Sequence, residues 1–478
     1  MGGAAFRYGT LFLLLLLIAV VPWSTPSAAA SEGDGTSGND TGIYLVLGIL
    51  LLAAVLFLTE AIPIVATAML VPSLLVMLRL VTFEEAFAGF ADRWVLLFLF
   101  MFIIGDSLFQ TGIADRMGRS MVRHASGKER GLVVHIMLVA GVMSAFLSNT
   151  GTAACLLPIT VAVSRSSGVP LRRLLLPMAF ATSLGGSLTV IGTPPNGIVQ
   201  STYEGMTGTN FGFFEYAKVG IFVFAAGMLF LALLGRRLIP AGADGGVEER
   251  SEPVDGSASG GEGAPGGARI AAAVFLLVVF SMAMAPVWPK LFPSVSGYFG
   301  GIPLTAYAVI GVVVLFVTRV MTVEKAFAAV DWRTIFLFAG MLSLKPALLN
   351  TGAADFMAGG MIGFAGSLHL SPDHATLAML VLASAVVTNF MSNTATAALL
   401  APVAMEVAVL MGCSPAPLLM GVALGCSACF LTPVATPPNT LVLGPGGYSF
   451  GDYLRAGWIL QMIVIALLIV LIPFFFPF

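Results

Sequence analysis

Two short runs of polar side chains interrupt long apolar stretches of this sequence. Residues 148–150 read Ser-Asn-Thr, and residues 392–394 read the same three residues again. Hydroxyl and amide groups are donors and acceptors of hydrogen bonds, and a hydroxyl becomes a nucleophile only with a base beside it. No nucleophile–base pair or phosphate-binding loop accompanies either run. The two runs therefore favour a binding site, and we expect no enzymatic activity.

A second pair of motifs follows these runs, about 44 residues further along the chain in each case. Residues 193–196 and 436–439 both read Thr-Pro-Pro-Asn. Proline cannot continue a helix interior but suits the first turn of a helix. Each motif therefore predicts a broken helix, whose first half ends near Gly192 or Ala435 and whose second half begins after the prolines. A single Ser-Asn-Thr run would be explained by hydrogen bonds between helices, and a lone Pro-Pro by a kink. The recurrence of both motifs at the same spacing favours a binding site.

The composition places this site in a membrane protein. Of the 478 residues, 58% are hydrophobic and 10% are charged, with a mean hydropathy of +0.99. Soluble domains carry roughly a quarter charged residues, so this chain cannot cover itself with polar surface. The four cysteines lie in apolar segments without the histidines or second cysteine pair of a metal site.

Apolar stretches long enough to cross a bilayer recur along the chain. Residues 8–28 are either a first transmembrane helix or a secretory signal peptide, and both interpretations fit the residues. Residues 238–268 are rich in glycine and acidic side chains and predict a flexible loop. The predicted spans lie near residues 8–28, 42–59, 62–80, 94–110, 217–235, 270–287, 303–319, 334–350 and 455–476.

The basic residues predict a re-entrant hairpin. They cluster within residues 116–130, 165–173, 236–269 and 319–333, and the positive-inside bias places these clusters in the cytoplasm. Residues 131–164 leave one such cluster and return to another on the same side. We therefore expect a hairpin with residues 148–150 at its tip and two arms that are each too short to span.

The chain is internally duplicated. Residues 111–115 match residues 351–355 at an offset of 240, the Ser-Asn-Thr runs match at 244, and the Thr-Pro-Pro-Asn motifs match at 243. A nearly constant offset indicates duplication. About five crossings separate equivalent points, so the copies are expected to be inverted, with a site near the membrane midplane. The second hairpin, residues 375–410, is then expected to enter from the outside.

The hairpin tips suit ions of both signs. Ser, Asn and Thr are good N-cap residues, so each tip can begin a helix whose free N–H groups favour an anion. The carbonyl groups at the end of the preceding arm favour a cation. No Arg or Lys lies within several residues of the four motifs. The charge of an anion would thus be met by dipoles, hydroxyls, amides and bound cations.

These motifs together resemble the divalent anion/sodium symporter family of sodium-coupled dicarboxylate transporters. Residues 59–63 (Thr-Glu-Ala-Ile-Pro) and 450–453 (Phe-Gly-Asp-Tyr) fit the same family, so the resemblance covers nearly the whole chain. It implies an all-α polytopic fold of about eleven transmembrane helices with two opposed re-entrant hairpins in inverted repeats. It also implies a homodimer, elevator movement of a transport domain, and retention of residues 8–28 as a helix.

The resemblance also implies particular site residues. Two residues depart mildly from the family pattern: Gly151 stands where the second copy has Ala395, and Met391 is large for its place. One sodium ion would be held by Ser144, Ser148, Asn149 and the Gly192 carbonyl, and another by Thr388, Asn393 and the carbonyls of Met391 and Ala435. The substrate-binding residues would be Ser148, Asn149, Thr150, Thr193, Pro194, Ser392, Asn393, Thr394, Thr436 and Pro437.

The expected function is import of C4-type dicarboxylates with about two sodium ions across the cytoplasmic (inner) membrane. A sodium-independent exchanger, a sodium-coupled sulfate or citrate transporter, and a receptor without transport remain open. We expect the lipid bilayer and a second copy of the chain as partners, and no nucleic acid. Asp106 and Lys345 are expected to anchor the scaffold or the dimer. The predicted domains are residues 1–41, repeat 1 (42–237), the loop 238–268 and repeat 2 (269–478).

Overall fold

The fold is helical throughout the part of the chain that can be described. The computed structural model describes residues 37–122, 129–240, 265–285, 287, 302–367 and 371–478, and no strand occurs within these ranges. Seven of the described helices are long and apolar enough to cross a membrane. The predicted all-α polytopic fold is therefore confirmed, whereas the count of eleven helices stays a prediction. Residues 8–28 and most of the loop 238–268 lie outside the described residues.

The described part of the first half contains ten α-helices and one short 3₁₀ turn at Ala88–Ala91. Most of the helix interiors are apolar, and most of the boundaries carry Gly, Pro, Ser, Thr or Asp. The helices are α1 (Ser37–Thr59), α2 (Ile64–Met77), α3 (Phe83–Phe87), α4 (Arg93–Gln110), α5 (Ile113–Val122), α6 (Glu129–Ser144), α7 (Asn149–Ser167), α8 (Arg172–Gly186), α9 (Pro194–Thr207) and α10 (Ala217–Leu238).

The second half repeats this order of elements, with one additional break. The helix that corresponds to α4 is divided in two, before Leu344. The helices are α11 (Pro265–Met284), α12 (Leu304–Val317), α13 (Val323–Ala329), α14 (Trp332–Met341), α15 (Leu344–Thr351), α16 (Ala353–Ser367), α17 (Pro372–Val387), α18 (Asn393–Met411), α19 (Pro415–Gly425), α20 (Pro437–Gly446) and α21 (Phe450–Phe475).

The two halves pack against each other in a reciprocal way. Helix α9, which follows the first Pro-Pro break, packs on α18 of the second hairpin. In the same way, α20, which follows the second break, packs on α7 of the first hairpin. Each half therefore brings its broken helix to the hairpin of the other, which places the four sequence motifs in neighbouring parts of the molecule.

In both hairpins the second arm is longer than the first. The first arms, α6 and α17, have 16 residues each, which gives about 24 Å of helix, less than the hydrocarbon core. The second arms, α7 and α18, have 19 residues each. They end only at Gly168 and Gly412, glycines in the left-handed conformation that ends a helix. Of the two second arms, only α18 is among the described helices that are long and apolar enough to cross a membrane. The expectation that both arms of the first hairpin are too short to span stays a prediction.

The broken helices differ from the prediction. The first half-helices end at Gly186 and Gly425, well before Gly192 and Ala435, where the sequence placed their ends. The intervening residues 187–193 and 426–436 are non-helical. Such backbone is tolerated at membrane depth only where its polar groups find partners or line a cavity.

Candidate functional site

Both hairpin tips are built by the same capping interaction. The Gly151 N–H donates to Ser148 Oγ over 3.1 Å at the start of α7, and the Ala395 N–H donates to Ser392 Oγ over 3.1 Å at the start of α18. Each serine is thus the N-cap that the sequence predicted. These hydroxyls satisfy one N–H group of the first turn and leave others free for a ligand.

The asparagine that follows each cap accepts a hydrogen bond from the end of the preceding arm. Ser144 Oγ donates to Asn149 Oδ1 over 2.5 Å, and Thr388 Oγ1 donates to Asn393 Oδ1 over 2.6 Å. Both donors are fully buried. Each tip therefore places two side-chain oxygens side by side, and paired oxygens of this kind are suited to a hard cation.

Two equivalent asparagines hold the non-helical stretches in place. Asn196 Nδ2 donates to the Thr189 carbonyl over 2.7 Å and lies 3.4 Å from the Gly186 carbonyl. Asn439 Nδ2 lies 3.1 Å from the Thr432 carbonyl and 3.0 Å from the Cys429 carbonyl. The amide at the end of each Thr-Pro-Pro-Asn motif thus pairs with carbonyls that the broken helix leaves free.

A tyrosine at the start of the next helix supports each of these asparagines. The Tyr216 hydroxyl donates to the Asn196 carbonyl over 2.9 Å, and the Tyr453 hydroxyl donates to the Asn439 carbonyl over 2.6 Å. Both tyrosines are fully buried. Each broken helix is therefore fixed to the helix after it.

Each non-helical stretch is also tied to the hairpin of its own half. Thr189 Oγ1 donates to the Ala145 carbonyl, and Thr432 Oγ1 donates to the Asn389 carbonyl over 2.7 Å. Ala145 and Asn389 lie one residue after Ser144 and Thr388. Hairpin tip and helix break therefore form one connected unit in each half.

In the first half, the tip and the break meet at glycines. A Cβ atom on Gly186 would lie 2.7 Å from Asn149 Oδ1 and 3.2 Å from the Gly192 carbonyl oxygen. A Cβ atom on Gly192 would lie 2.3 Å from the Gly186 carbonyl oxygen. Only glycine permits this approach, which brings the side chain of Asn149 and the Gly192 carbonyl to the same small region.

In the second half, a cysteine stands where the first half has Gly186. Asn393 Nδ2 lies 3.7 Å from Cys429 Sγ, and Thr388 Oγ1 lies 2.9 Å from the Cys426 carbonyl oxygen. Cys429 Sγ is in turn 3.6 Å from Ser183 Oγ, which belongs to α8 of the first half. Ser183 and Gly186 share the last turn of α8, so this turn contacts the surroundings of both asparagines.

The helices after the two breaks begin without side-chain caps. Neither Thr193 nor Thr436 forms a capping hydrogen bond, and both helices have prolines in their first turn. Thr436 Oγ1 is buried without a hydrogen-bond partner. An unpaired buried hydroxyl costs free energy unless a ligand or water forms a hydrogen bond with it. Helix N-termini favour anions, so these two helix starts are suited to an anionic ligand.

The structure brings some of the predicted site residues together and leaves others apart. Asn149, Ser144 and Gly192 meet in one half, and Asn393 and Thr388 meet in the other. Thr150 and Pro437 are exposed, the Met391 side chain is buried, and Thr394 and Ala435 are buried close to their tip and break. Among the described residues, no side-chain hydrogen bond joins Thr150, Pro194, Thr394 or Pro437 to these groups, so their roles stay predictions.

Several residues of this region were missing from the predicted site. Asn196, Asn439, Cys429 and Ser183 make the contacts described above, and none was predicted as a ligand. The offset of 243 relates Thr189 to Thr432 and Gly186 to Cys429, so the duplication could have identified these pairs. The contact between Ser183 and Cys429 has no sequence signal.

The intramembrane charges Asp106 and Lys345 lie away from the tips. Asp106 accepts a hydrogen bond from Gln110 within α4. Lys345 approaches α9 so closely that a Cβ atom on Gly205 would lie 2.3 Å from its Nζ atom. The predicted anchoring roles stay predictions.

Known proteins resemble this chain along nearly its full length. A family profile described as citrate transporter matches residues 54–412 and 371–478. An uncharacterized transporter of Escherichia coli K12, YfbS, is 26% identical and covers 91% of this chain and 99% of its own. The sodium-dependent dicarboxylate transporter SdcS of Staphylococcus saprophyticus is 25% identical and covers 92% of this chain and 87% of its own.

Two solved structures share the fold. The YdaH transporter of Alcanivorax borkumensis superposes with a TM-score of 0.56 at 16% identity, over 98% of this chain and 97% of its own. MtrF of Neisseria gonorrhoeae, described as one of a class of antimetabolite efflux pumps, superposes with a TM-score of 0.56 at 14% identity, over 98% and 94%.

Proposed function

Because the chain belongs to the citrate transporter family, we propose that it is a secondary active transporter that imports C4-type dicarboxylates together with sodium. The observation that carries this proposal is the duplicated tip. Ser144 with Asn149, and Thr388 with Asn393, place paired oxygens at the start of two helices. The sodium-dependent dicarboxylate transporters among the relatives support the same substrate class.

Each tip asparagine can bind both the sodium ion and a carboxylate of the substrate. Its Oδ1 atom faces the hydroxyl of Ser144 or Thr388, the side on which a sodium ion would find oxygens. Its Nδ2 group and the free N–H groups of the first helical turn can donate to a carboxylate. Asn149 and Asn393 thus link cation binding to substrate binding, and the sodium ions are cargo moved with the substrate.

Charge balance supports coupling to sodium. A dicarboxylate brings two negative charges, and burial of an unpaired charge is costly. The sequence within several residues of the tips and breaks contains no Lys or Arg. Two sodium ions beside the tips would compensate the dianion, which is why we favour symport over sodium-independent exchange.

Transport requires that the site face each side of the membrane in turn. We propose that the hairpins with α8 to α10 and α19 to α21 form a transport domain, which moves as an elevator against the remaining helices. The two halves would be inverted repeats in a homodimer in the inner membrane. The reciprocal packing of α9 on α18 and of α20 on α7 supports the relation between the two repeats.

Citrate is the second candidate substrate. The matching profile is described as a citrate transporter, and citrate carries one more carboxylate than succinate. Uptake of labelled succinate into proteoliposomes, driven by an inward sodium gradient, tests the proposal. We expect concentrative uptake that disappears when potassium replaces sodium and that unlabelled malate or fumarate inhibits. Uptake of the same size without a sodium gradient would contradict the coupling, and stronger competition by citrate or sulfate would reassign the substrate.

A further inference from the structure

The two halves of the site differ in one side chain that faces the tip asparagine. Position 186 is glycine in the first half, and the equivalent position 429 is cysteine in the second. A Cβ atom on Gly186 would lie only 2.7 Å from Asn149 Oδ1, so this half cannot hold a side chain there without moving Asn149. The second half holds a thiol at this place, and Asn393 lies beside it.

The Cys429 thiol is fully buried among polar groups of the candidate site. Its Sγ atom lies 3.7 Å from Asn393 Nδ2, 3.6 Å from Ser183 Oγ and 3.4 Å from the Ser427 carbonyl oxygen. The Thr436 hydroxyl lies beside the same thiol, although the two groups are not in hydrogen-bonding geometry. A buried cysteine that served only as an apolar filler would not be expected among so many hydroxyl, amide and carbonyl groups.

A thiol at this place is better suited to hydrogen-bond with the asparagine than to coordinate the sodium ion. Sulfur is a soft ligand, whereas sodium, like other hard cations, is bound by oxygen. Cys429 Sγ accepts from Asn393 Nδ2 while Asn393 Oδ1 accepts from Thr388 Oγ1, so this amide is held at both ends. In the first half, Asn149 Nδ2 has no hydrogen-bond partner among the described residues, so only Ser144 orients its amide.

We propose that Cys429 is a positioning residue that makes the two cation sites unequal. Its thiol holds Asn393 in the orientation that binds the cation, so the second site is the tighter one because less ordering is needed on binding. Through its contact with Ser183, the thiol also joins the second site to α8. The same helix ends at Gly186, which lies beside Asn149 of the first site. This inference rests on the proposed sodium coupling. It assigns an order of binding, in which the tighter second site fills before the first.

Substitutions at both ends of the thiol contact test this role. Cys429→Ala removes the thiol, Ser183→Ala removes its partner in the first half, and Cys429→Ser keeps a group that can accept from Asn393. We measure the sodium concentration for half-maximal succinate uptake, and separately the succinate KM at saturating sodium. Loss of one weak hydrogen bond should raise the half-maximal sodium concentration about three- to tenfold in Cys429→Ala. The KM at saturating sodium should change less, and Cys429→Ser should restore most of the sodium affinity.

The matched control is Cys413→Ala, since Cys413 lies just beyond the end of α18, away from the tips. Thermal unfolding of each purified variant with and without sodium gives a second readout, because an ion that binds the native state raises Tm. The sodium-induced rise should be smaller in Cys429→Ala than in the wild type and unchanged in Cys413→Ala.

An unchanged sodium requirement in a folded Cys429→Ala variant would overturn the inference, as would an equal change in Cys413→Ala. Should Cys429→Ala not fold, Ser183→Ala decides by the same two readouts, since Ser183 also faces the thiol. Failure of the proposed function gives a different result: uptake by the wild type would then not depend on sodium at all.

Discussion

The hydroxyl of Ser144 lies 2.5 Å from Oδ1 of Asn149, across the turn that joins the two arms of the first hairpin. The equivalent residues of the second hairpin, Thr388 and Asn393, repeat the contact at 2.6 Å. Each contact joins the end of one helix to the start of the next. The tip of each hairpin is thereby closed by side chains, and the asparagine is oriented before any ligand arrives.

Asn149→Ala and Asn393→Ala should each abolish most sodium-dependent uptake. Both variants remove an oxygen that faces the cation and an amide that can donate to the substrate, and a hydrogen bond to a charged group contributes about 1.5–3 kcal/mol. We expect uptake at fixed sodium to fall at least tenfold. Asn210→Ala, in the exposed loop before α10, is the control. Normal sodium-dependent uptake by either tip variant would show that the site is wrongly assigned.

Thr436→Val should weaken substrate binding without lowering stability. Thr436 Oγ1 is buried and has no hydrogen-bond partner, so its removal relieves an unsatisfied group in the empty protein. If this hydroxyl binds a carboxylate, the succinate KM should rise several-fold while Tm in the absence of substrate stays the same or rises. A lower Tm together with an unchanged KM would assign Thr436 a structural role.

Asn196→Leu should destabilise the protein by about 1–3 kcal/mol, because it leaves a buried carbonyl unpaired. The Thr189 carbonyl accepts from Asn196 Nδ2 over 2.7 Å inside the first helix break. The measurement is thermal unfolding of the purified protein, with the exposed Asn210→Leu as the control. Equal melting temperatures for the two variants would argue against this role of Asn196.

Tyr453→Phe should cost about 0.5–1.5 kcal/mol of stability, the usual contribution of one hydrogen bond. The Tyr453 hydroxyl is buried and donates to the Asn439 carbonyl over 2.6 Å. Tyr216→Phe removes the equivalent bond in the first half and should have a similar effect. A Tm equal to that of the wild type in both variants would mean that these hydroxyls do not support the breaks.

Gly185→Ala should destabilise the packing of α6 against α8 by about 1–3 kcal/mol, the typical cost of overpacking. A Cβ atom at this position would lie 2.3 Å from the Gly141 carbonyl oxygen, so the two helices would have to separate. Gly359→Ala, in α16, is the control because nothing lies within 4 Å of its added Cβ atom. It should be neutral or slightly stabilising, since alanine favours a helix. A larger loss of stability in the control would contradict this packing.

The sequence alone was sufficient for the membrane-embedded, all-helical class and for the positions of the four motifs. Hydropathy, proline, glycine and N-cap preferences act over a few residues, so the helix starts at Asn149, Pro194, Asn393 and Pro437 could be predicted. The nearly constant offset of about 240 residues indicated that the same units occur twice. The family assignment is confirmed by the match to the citrate transporter profile.

Only the tertiary structure decided how these units meet. The half-helices end at Gly186 and Gly425 because contacts between distant side chains and the backbone, such as Asn196 with Thr189, satisfy the non-helical carbonyls. Cys429 and Ser183 are separated by 246 residues and still lie 3.6 Å apart. Such contacts depend on the relative placement of whole helices, for which the local preferences of the chain carry no information.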